Sequence, residues 1–134
     1  MRLVLALACE SALVRPDGRM DVTGVFNQLA APGFPAAQDA MTAVFVLEWG
    51  PHEAGRQPLR ADLVEPSSGN PVLTIQGHTD VDPASGDPPA HTRLVMPLED
   101  VVFPVAGRYE FRLTAGGETL PAFSIFLHQA PAAR

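Results

Sequence analysis

The sequence predicts an all-β protein, an antiparallel two-sheet β-sandwich of about eight strands. In most segments between turns, apolar and polar residues alternate with a period of two, and no window shows the 3.6-residue period of an amphipathic helix. Short apolar runs are separated by turn signals rich in proline and glycine, which number 14 and 11 in the chain. With 134 residues, 46% of them hydrophobic, the chain is long enough for one domain with a sizeable core.

The first half of the chain contains three predicted strands. Apolar runs over residues 2–9 and 20–29 flank a Pro-Asp-Gly turn at residues 16–18, so we expect them to pair as antiparallel strands. Residues 30–40 show no periodicity and contain two prolines, which predicts a crossover between two sheets. The run over residues 42–49 is the most apolar strand, because both of its faces are hydrophobic.

The middle of the chain predicts a hairpin between two loops. Residues 59–65 alternate cleanly, and residues 72–76 form the returning strand. The flanking segments, residues 50–58 and 77–90, are polar and rich in proline or glycine, so they are predicted to be surface loops.

The last third of the chain predicts three strands. Residues 92–98 form one, and Pro97 marks it as an edge strand or as a strand end. Over residues 108–113 three charged side chains alternate with three apolar ones, as in a strand that has one solvent-exposed face. Two glycines at 116–117 suit a two-residue hairpin turn into the final strand, residues 118–127.

The domain organisation and the charge follow from composition. Residues 1–128 are predicted to form a single sandwich domain, and residues 129–134 a frayed tail. The formal charge is −6, and the nine basic residues are all arginine and scattered, so nucleic-acid binding is not expected. No apolar run is long enough for a membrane span.

The single cysteine, Cys9, cannot form an intramolecular disulfide, which favours a reducing compartment and predicts a cytoplasmic protein. An envelope lipoprotein is the alternative, because residues 1–9 place small residues before a cysteine that would carry the lipid. The apolar stretch there is at the lower end of the roughly 7–15 residues of a secretory signal. As part of a first β-strand, Cys9 is instead a small core hydrophobe.

Two resemblances support the predicted fold. The pattern Phe-Pro-x-x-Gly-x-Tyr-x-Phe-x-Leu at residues 103–113 resembles strands near the C terminus of immunoglobulin-like sandwiches, where a tyrosine packs at the corner. The whole chain resembles a small bacterial family of uncharacterised single-domain sandwiches, through Cys-Glu at 9–10, Gly18, Gly-x-Phe at 24–26 and Pro-x-Phe-Pro at 32–35. The resemblance implies an immunoglobulin-like fold and transfers no site or cofactor, because no activity is assigned to that family.

Metal-binding residues are only weakly indicated. His78, Asp80 and His91 would form a site if the predicted loop between them folds back, but no short-spaced His or Cys ligand motif is present. The acidic segment 80–87 has the clustered oxygens that calcium prefers, yet it lacks the terminal glutamate of an EF-hand. We therefore expect solvated loop residues and no metal or cofactor.

The surplus of apolar positions indicates the function. Val44 and Val46 lie opposite the inward side chains of their strand, and Phe126 does so in the last strand, so these three residues are the predicted interface. The leading hypothesis is a non-catalytic protein-interaction or structural module, which binds another protein or a second copy through an outer sheet face or a strand edge. The alternative is a small ligand- or metal-binding domain, or a hydrolase, that uses loops 50–58 and 77–91.

Overall fold

The computed structural model describes residues 1–65, 67–82 and 88–131. Within these ranges every regular element is a β-strand, which confirms the all-β prediction. In chain order the strands are β1 (Arg2–Cys9), β2 (Ser11–Val14), β3 (Met20–Thr23), β4 (Gln28–Ala31), β5 (Ala36–Glu48), β6 (Gly55–Glu65), β7 (Asn70–Val81), β8 (His91–Phe103), β9 (Gly107–Ala115) and β10 (Glu118–Gln129).

The structure has more strands than the sequence predicts, because the first part of the chain is divided. After β1, the N–H of Glu10 donates to the carbonyl oxygens of Thr23 and Gly24, at 3.0 and 3.1 Å, and β2 begins as a separate strand. The predicted run 20–29 divides into β3 and β4 around Gly24, whose φ is +67°. The predicted pairing of residues 2–9 with residues 20–29 is wrong except for one isolated antiparallel bridge, Ala8 with Phe26, because β1 pairs with β5 and β3 pairs with β2.

The strands form three sheets. The first has the order β1-β5-β8, the second is a curled five-stranded sheet with the order β4-β10-β9-β6-β7, and the third is the β2-β3 pair. All pairs are antiparallel except β4 with β10, which is parallel from Gln28 beside Phe126 to Ala31 beside Gln129. The expectation of a purely antiparallel arrangement is wrong for this short pair.

One core joins the three-stranded sheet to the five-stranded sheet. Phe45 of β5 meets Phe111 of β9 edge-on, with ring centroids 5.9 Å apart, and Phe123 of β10 lies 4.9 Å from Phe111. Tyr109 and Leu113 point into the same core from β9. The charged residues between them face outward, as the period of two predicts.

The predicted glycine turn is confirmed, whereas the predicted ends of the loops are not. β9 and β10 are joined by Gly116 and Gly117, whose φ values of 59° and 77° suit a type I′ hairpin turn. The predicted loops are too long, because β6 begins at Gly55 and β7 continues to Val81. Alternate residues of β7 face solvent and are polar. This polar composition is also typical of a loop, so the sequence does not predict the end of the strand.

The two sheets are connected as the crossover prediction requires. β4 belongs to the five-stranded sheet and β5 to the three-stranded sheet, so the chain crosses between them over residues 32–35, a shorter segment than the predicted 30–40. Pro97 lies on β8, an edge strand, as predicted. Gln129 still belongs to β10, and the N–H of Ala130 donates to the carbonyl of Ala31 at 2.7 Å. Residues 132–134 of the predicted tail lie outside the described residues.

Candidate functional site

The candidate metal ligands lie on two different sheets. His78 is exposed on β7, where its Nδ1 is 3.1 Å from Nη2 of Arg56. His91 is on β8, with its Nε2 3.7 Å from a carboxylate oxygen of Glu48. In the ranges that the structure describes, no group of three His, Cys, Asp or Glu residues is placed to hold a metal ion.

Asp80, the third candidate, lies on β7 directly across from Arg56 in the β6–β7 pairing. Residues 83–87 of the acidic segment lie outside the described residues. Arg56 therefore places a positive charge beside both candidate ligands of β7, which disfavours a cation there.

Two of the three predicted interface residues are buried within the chain itself. Val44 is 0% exposed and Val46 is 8% exposed, so these two side chains offer little or no surface of their own to a partner. They lie on the outer face of β5, the central strand of its sheet, and Val44 sits directly between Leu7 of β1 and Val95 of β8. Neighbouring side chains on both adjacent strands shield such a position.

Phe126, the third predicted residue, is exposed. Its side chain lies on the outer face of the five-stranded sheet and is 44% accessible. Gln28 of β4 lies across from it on one side and Arg108 of β9 on the other. Phe126 also borders a groove of about 510 Å³ between β1 and β10, which Val25 and Phe26 help to line.

Beside Phe126, two arginines of β9 share one carboxylate. Glu110 accepts hydrogen bonds from Nη2 of Arg108 at 2.8 Å and from Nε of Arg112 at 3.0 Å. Nε of Arg108 also donates to the hydroxyl of Ser124 on β10 at 3.0 Å. The Glu110 side chain is 13% exposed, against 51% for Arg108 and 39% for Arg112, so a well-shielded carboxylate anchors two more exposed guanidinium groups.

A second carboxylate repeats this arrangement on β6. Asp62 accepts a hydrogen bond from Nε of Arg60 at 2.9 Å and another from the Thr74 hydroxyl at 2.6 Å. Asp62 lies directly across from Arg112 in the β6–β9 pairing, which brings the two clusters together. A shallow depression of about 440 Å³ lies here, with Arg60 and Arg112 in its lining.

We call the surface that carries Arg60, Arg108, Arg112 and Phe126 the arginine face. Sequence reasoning identifies the outward charges of β6 and β9 separately, from their alternation with apolar residues. It misses the arginine face as a unit, because nothing in the spacing indicates that β6 and β9 are neighbours. The Phe126 prediction is the one sequence signal that points to this surface.

Comparisons with known proteins place the chain in a family without an assigned activity, as the resemblance implies. In the part of the chain that the structure describes, no helix is long and apolar enough to cross a bilayer. No curated protein and no solved structure matches the chain. A family model described as "Family of unknown function (DUF6941)" matches residues 4–128, so the chain belongs to that family.

Proposed function

We propose that this protein is a non-catalytic interaction module that binds another protein through the arginine face. The observation that carries the proposal is the exposed ring of Phe126 on the residue of β10 that lies directly across from Arg108 of β9. Aromatic side chains and arginine are the residue types that interfaces favour and that supply most of their binding energy.

The arginine face is also organised before any partner arrives. Arg108 is held by both Glu110 and Ser124, so little side-chain freedom remains to be lost on binding. The supporting strands are the central part of a five-stranded sheet, which is more rigid than a loop. Surface ion pairs of this kind add little to folding stability, so their value lies in presenting the guanidinium groups.

The alternative function, a metal-binding domain or hydrolase built on loops 50–58 and 77–91, has weaker support. The guanidinium of Arg56 lies against His78 and opposes a metal ion at that position. A thermal melt with added Zn²⁺ and then with a chelator tests this alternative. A stabilisation by metal that His78→Ala abolishes would favour the alternative over the interaction module.

We also propose that the strands have an immunoglobulin-like arrangement. It is supported by the crossing of the chain between the two sheets and by the corner at which the Tyr109 hydroxyl bonds to the backbone of Val105. A crystal structure whose two sheets do not have the strand orders β1-β5-β8 and β4-β10-β9-β6-β7 would contradict it.

We further propose that the protein works in the bacterial cytoplasm. Cys9 is completely buried, and burial raises the pKa of its thiol. Lipidation at Cys9 would require cleavage before it, which would remove the strand that pairs with β5. Mass spectrometry of the N terminus distinguishes an intact β1 from a lipidated cysteine.

Site-specific photocrosslinking tests the interaction proposal. Phe126→benzoylphenylalanine keeps an aromatic side chain on the arginine face, and the same substitution at Val102 serves as a control that is equally exposed on the other sheet. We expect an adduct of one defined mass in cells from position 126 only, and its loss when Arg108→Ala is added. The absence of an adduct at position 126, or the same adduct from both positions, would overturn the proposal.

A further inference from the structure

We infer that the partner presents an extended segment with two acidic side chains two residues apart, and that Arg60 and Arg112 bind their carboxylates. This inference rests on the proposed function and specifies the chemistry of the partner. The two arginines line the depression between β6 and β9 on the arginine face.

Both guanidinium groups retain the donors that a carboxylate needs. Within the described part of the chain, the hydrogen bonds of Arg60 and Arg112 all run through Nε, to Asp62 and Glu110 respectively. Their side chains are 49% and 39% exposed, so both arginines remain accessible to a partner. Two terminal nitrogens of one guanidinium form the fork that binds a carboxylate through two parallel hydrogen bonds.

The spacing of the two arginines matches that of an extended peptide. Arg60 lies across from Thr114, two residues from Arg112, so the arginines are diagonal neighbours on adjacent strands. The backbone positions of such neighbours are about 7–8 Å apart. Alternate side chains of an extended chain lie on the same side at intervals of about 6.6–6.8 Å, so an acidic-x-acidic segment places one carboxylate at each arginine.

The local charge favours an acidic partner at this position. The depression and its surroundings carry three arginines, Arg60, Arg108 and Arg112, against two carboxylates, Asp62 and Glu110. This part of the surface is therefore net positive on a chain with a formal charge of −6. An acidic segment is attracted to the arginine face and repelled by the remaining surface, which orients it.

A second copy of the chain is not the occupant. A two-fold dimer through this surface would bring two net-positive patches together, which is electrostatically unfavourable. A head-to-tail contact, with an acidic segment of one copy on the arginines of the next, would build a ring or a filament of many copies. The proposed partner is therefore a different protein, and a ring or filament of this chain in solution would contradict that choice.

Selection from a displayed library of random peptides tests the inference on the intact protein. We expect selected peptides to share an acidic-x-acidic pattern. Arg60→Gln and Arg112→Gln should each weaken binding of a selected peptide by roughly tenfold or more, and so should Glu→Gln in either acidic position of that peptide. Arg93→Gln removes an exposed arginine of β8 and should leave binding unchanged.

Both test variants are expected to fold, because Asp62 keeps Thr74 and Glu110 keeps Arg108 as partners. A library without binders, or binders that tolerate Arg60→Gln and Arg112→Gln together, overturns the inference. If binders instead depend only on Phe126, the interaction module stands and the acidic segment fails. If glutarate binds as tightly as the peptide, the ligand is a small dicarboxylate and the peptide partner is wrong.

Discussion

The hydroxyl of Tyr109 donates a hydrogen bond to the carbonyl oxygen of Val105 at 2.6 Å and accepts one from the N–H of the same residue at 3.1 Å. The ring packs edge-on against Phe103, with centroids 4.9 Å apart. One buried side chain thus closes the connection between β8 and β9. It also positions the start of β9, on which Arg108 and Arg112 lie.

Loss of this hydroxyl is expected to destabilise the fold. Tyr109→Phe keeps the ring contact with Phe103 but leaves two backbone groups of Val105 without their partner, which should lower the free energy of unfolding by about 1–3 kcal/mol. Urea denaturation measures the difference. Thr119→Val, which removes an exposed hydroxyl, is the control and should cost less. Equal stability of Tyr109→Phe and the wild type would show that the corner contributes nothing.

Val44 is buried and Phe126 is exposed, so substitutions at these two positions should separate an effect on stability from an effect on binding. Val44→Ala should lower the free energy of unfolding by about 2 kcal/mol, because it opens a cavity at a fully buried site. Phe126→Ala should cost about 1 kcal/mol or less, since the ring is partly exposed, and should abolish binding of the partner that crosslinking from position 126 identifies. Chemical denaturation measures the first effect, and pull-down of the identified partner by each variant without a crosslinker measures the second. Loss of binding by folded Val44→Ala would contradict this assignment.

The turn between β9 and β10 offers a matched pair of substitutions. Gly117→Ala should cost about 1–2 kcal/mol, because its φ of +77° disfavours a side chain although nothing lies nearby. Gly116→Ala should cost more, since its Cβ would also lie 2.6 Å from a carboxylate oxygen of Glu53. That carboxylate accepts a hydrogen bond from the N–H of Gly50, so its displacement disturbs a second loop. Thermal or chemical unfolding of both variants measures the order, and the reverse order would refute the steric explanation.

Stability should depend on pH through Glu48. The hydrogen bond from Arg2 at 2.6 Å, opposed by partial burial and assisted by the charges of Arg2 and His91, lowers the pKa of this carboxyl below its ordinary value of 4.5. The charged form is therefore favoured in the folded state, so the stabilisation is present above pH 4.5 and is lost as the pH falls through the lowered pKa.

Glu48→Gln tests this dependence. The wild type should be more stable than the variant at about pH 7, and the two should converge as the pH falls below the lowered pKa. Thermal melts across this range measure the convergence. A constant difference for Glu48→Gln would mean that its carboxylate is not stabilised by folding.

The sequence predicts the strands better than their partners. The alternation over residues 108–113 and the glycine turn at 116–117 are local signals, and both are confirmed. The extension of β7 to Val81 is missed, because a strand with a solvated face and a glycine has the composition of a loop. The burial of Val44 is missed for a different reason, since shielding depends on what the adjacent strands place beside it.

By itself, the sequence determined that the chain is all-β, where its tightest hairpin turns, and which side chains of β9 face water. These properties follow from the two-residue period and from the backbone freedom of glycine, which act over a few neighbouring residues. Only the tertiary structure decided that β6 lies beside β9, which brings Arg60 and Arg112 to one depression. Pairing between distant segments is selected by the packing of the whole core, and no short stretch of sequence encodes it.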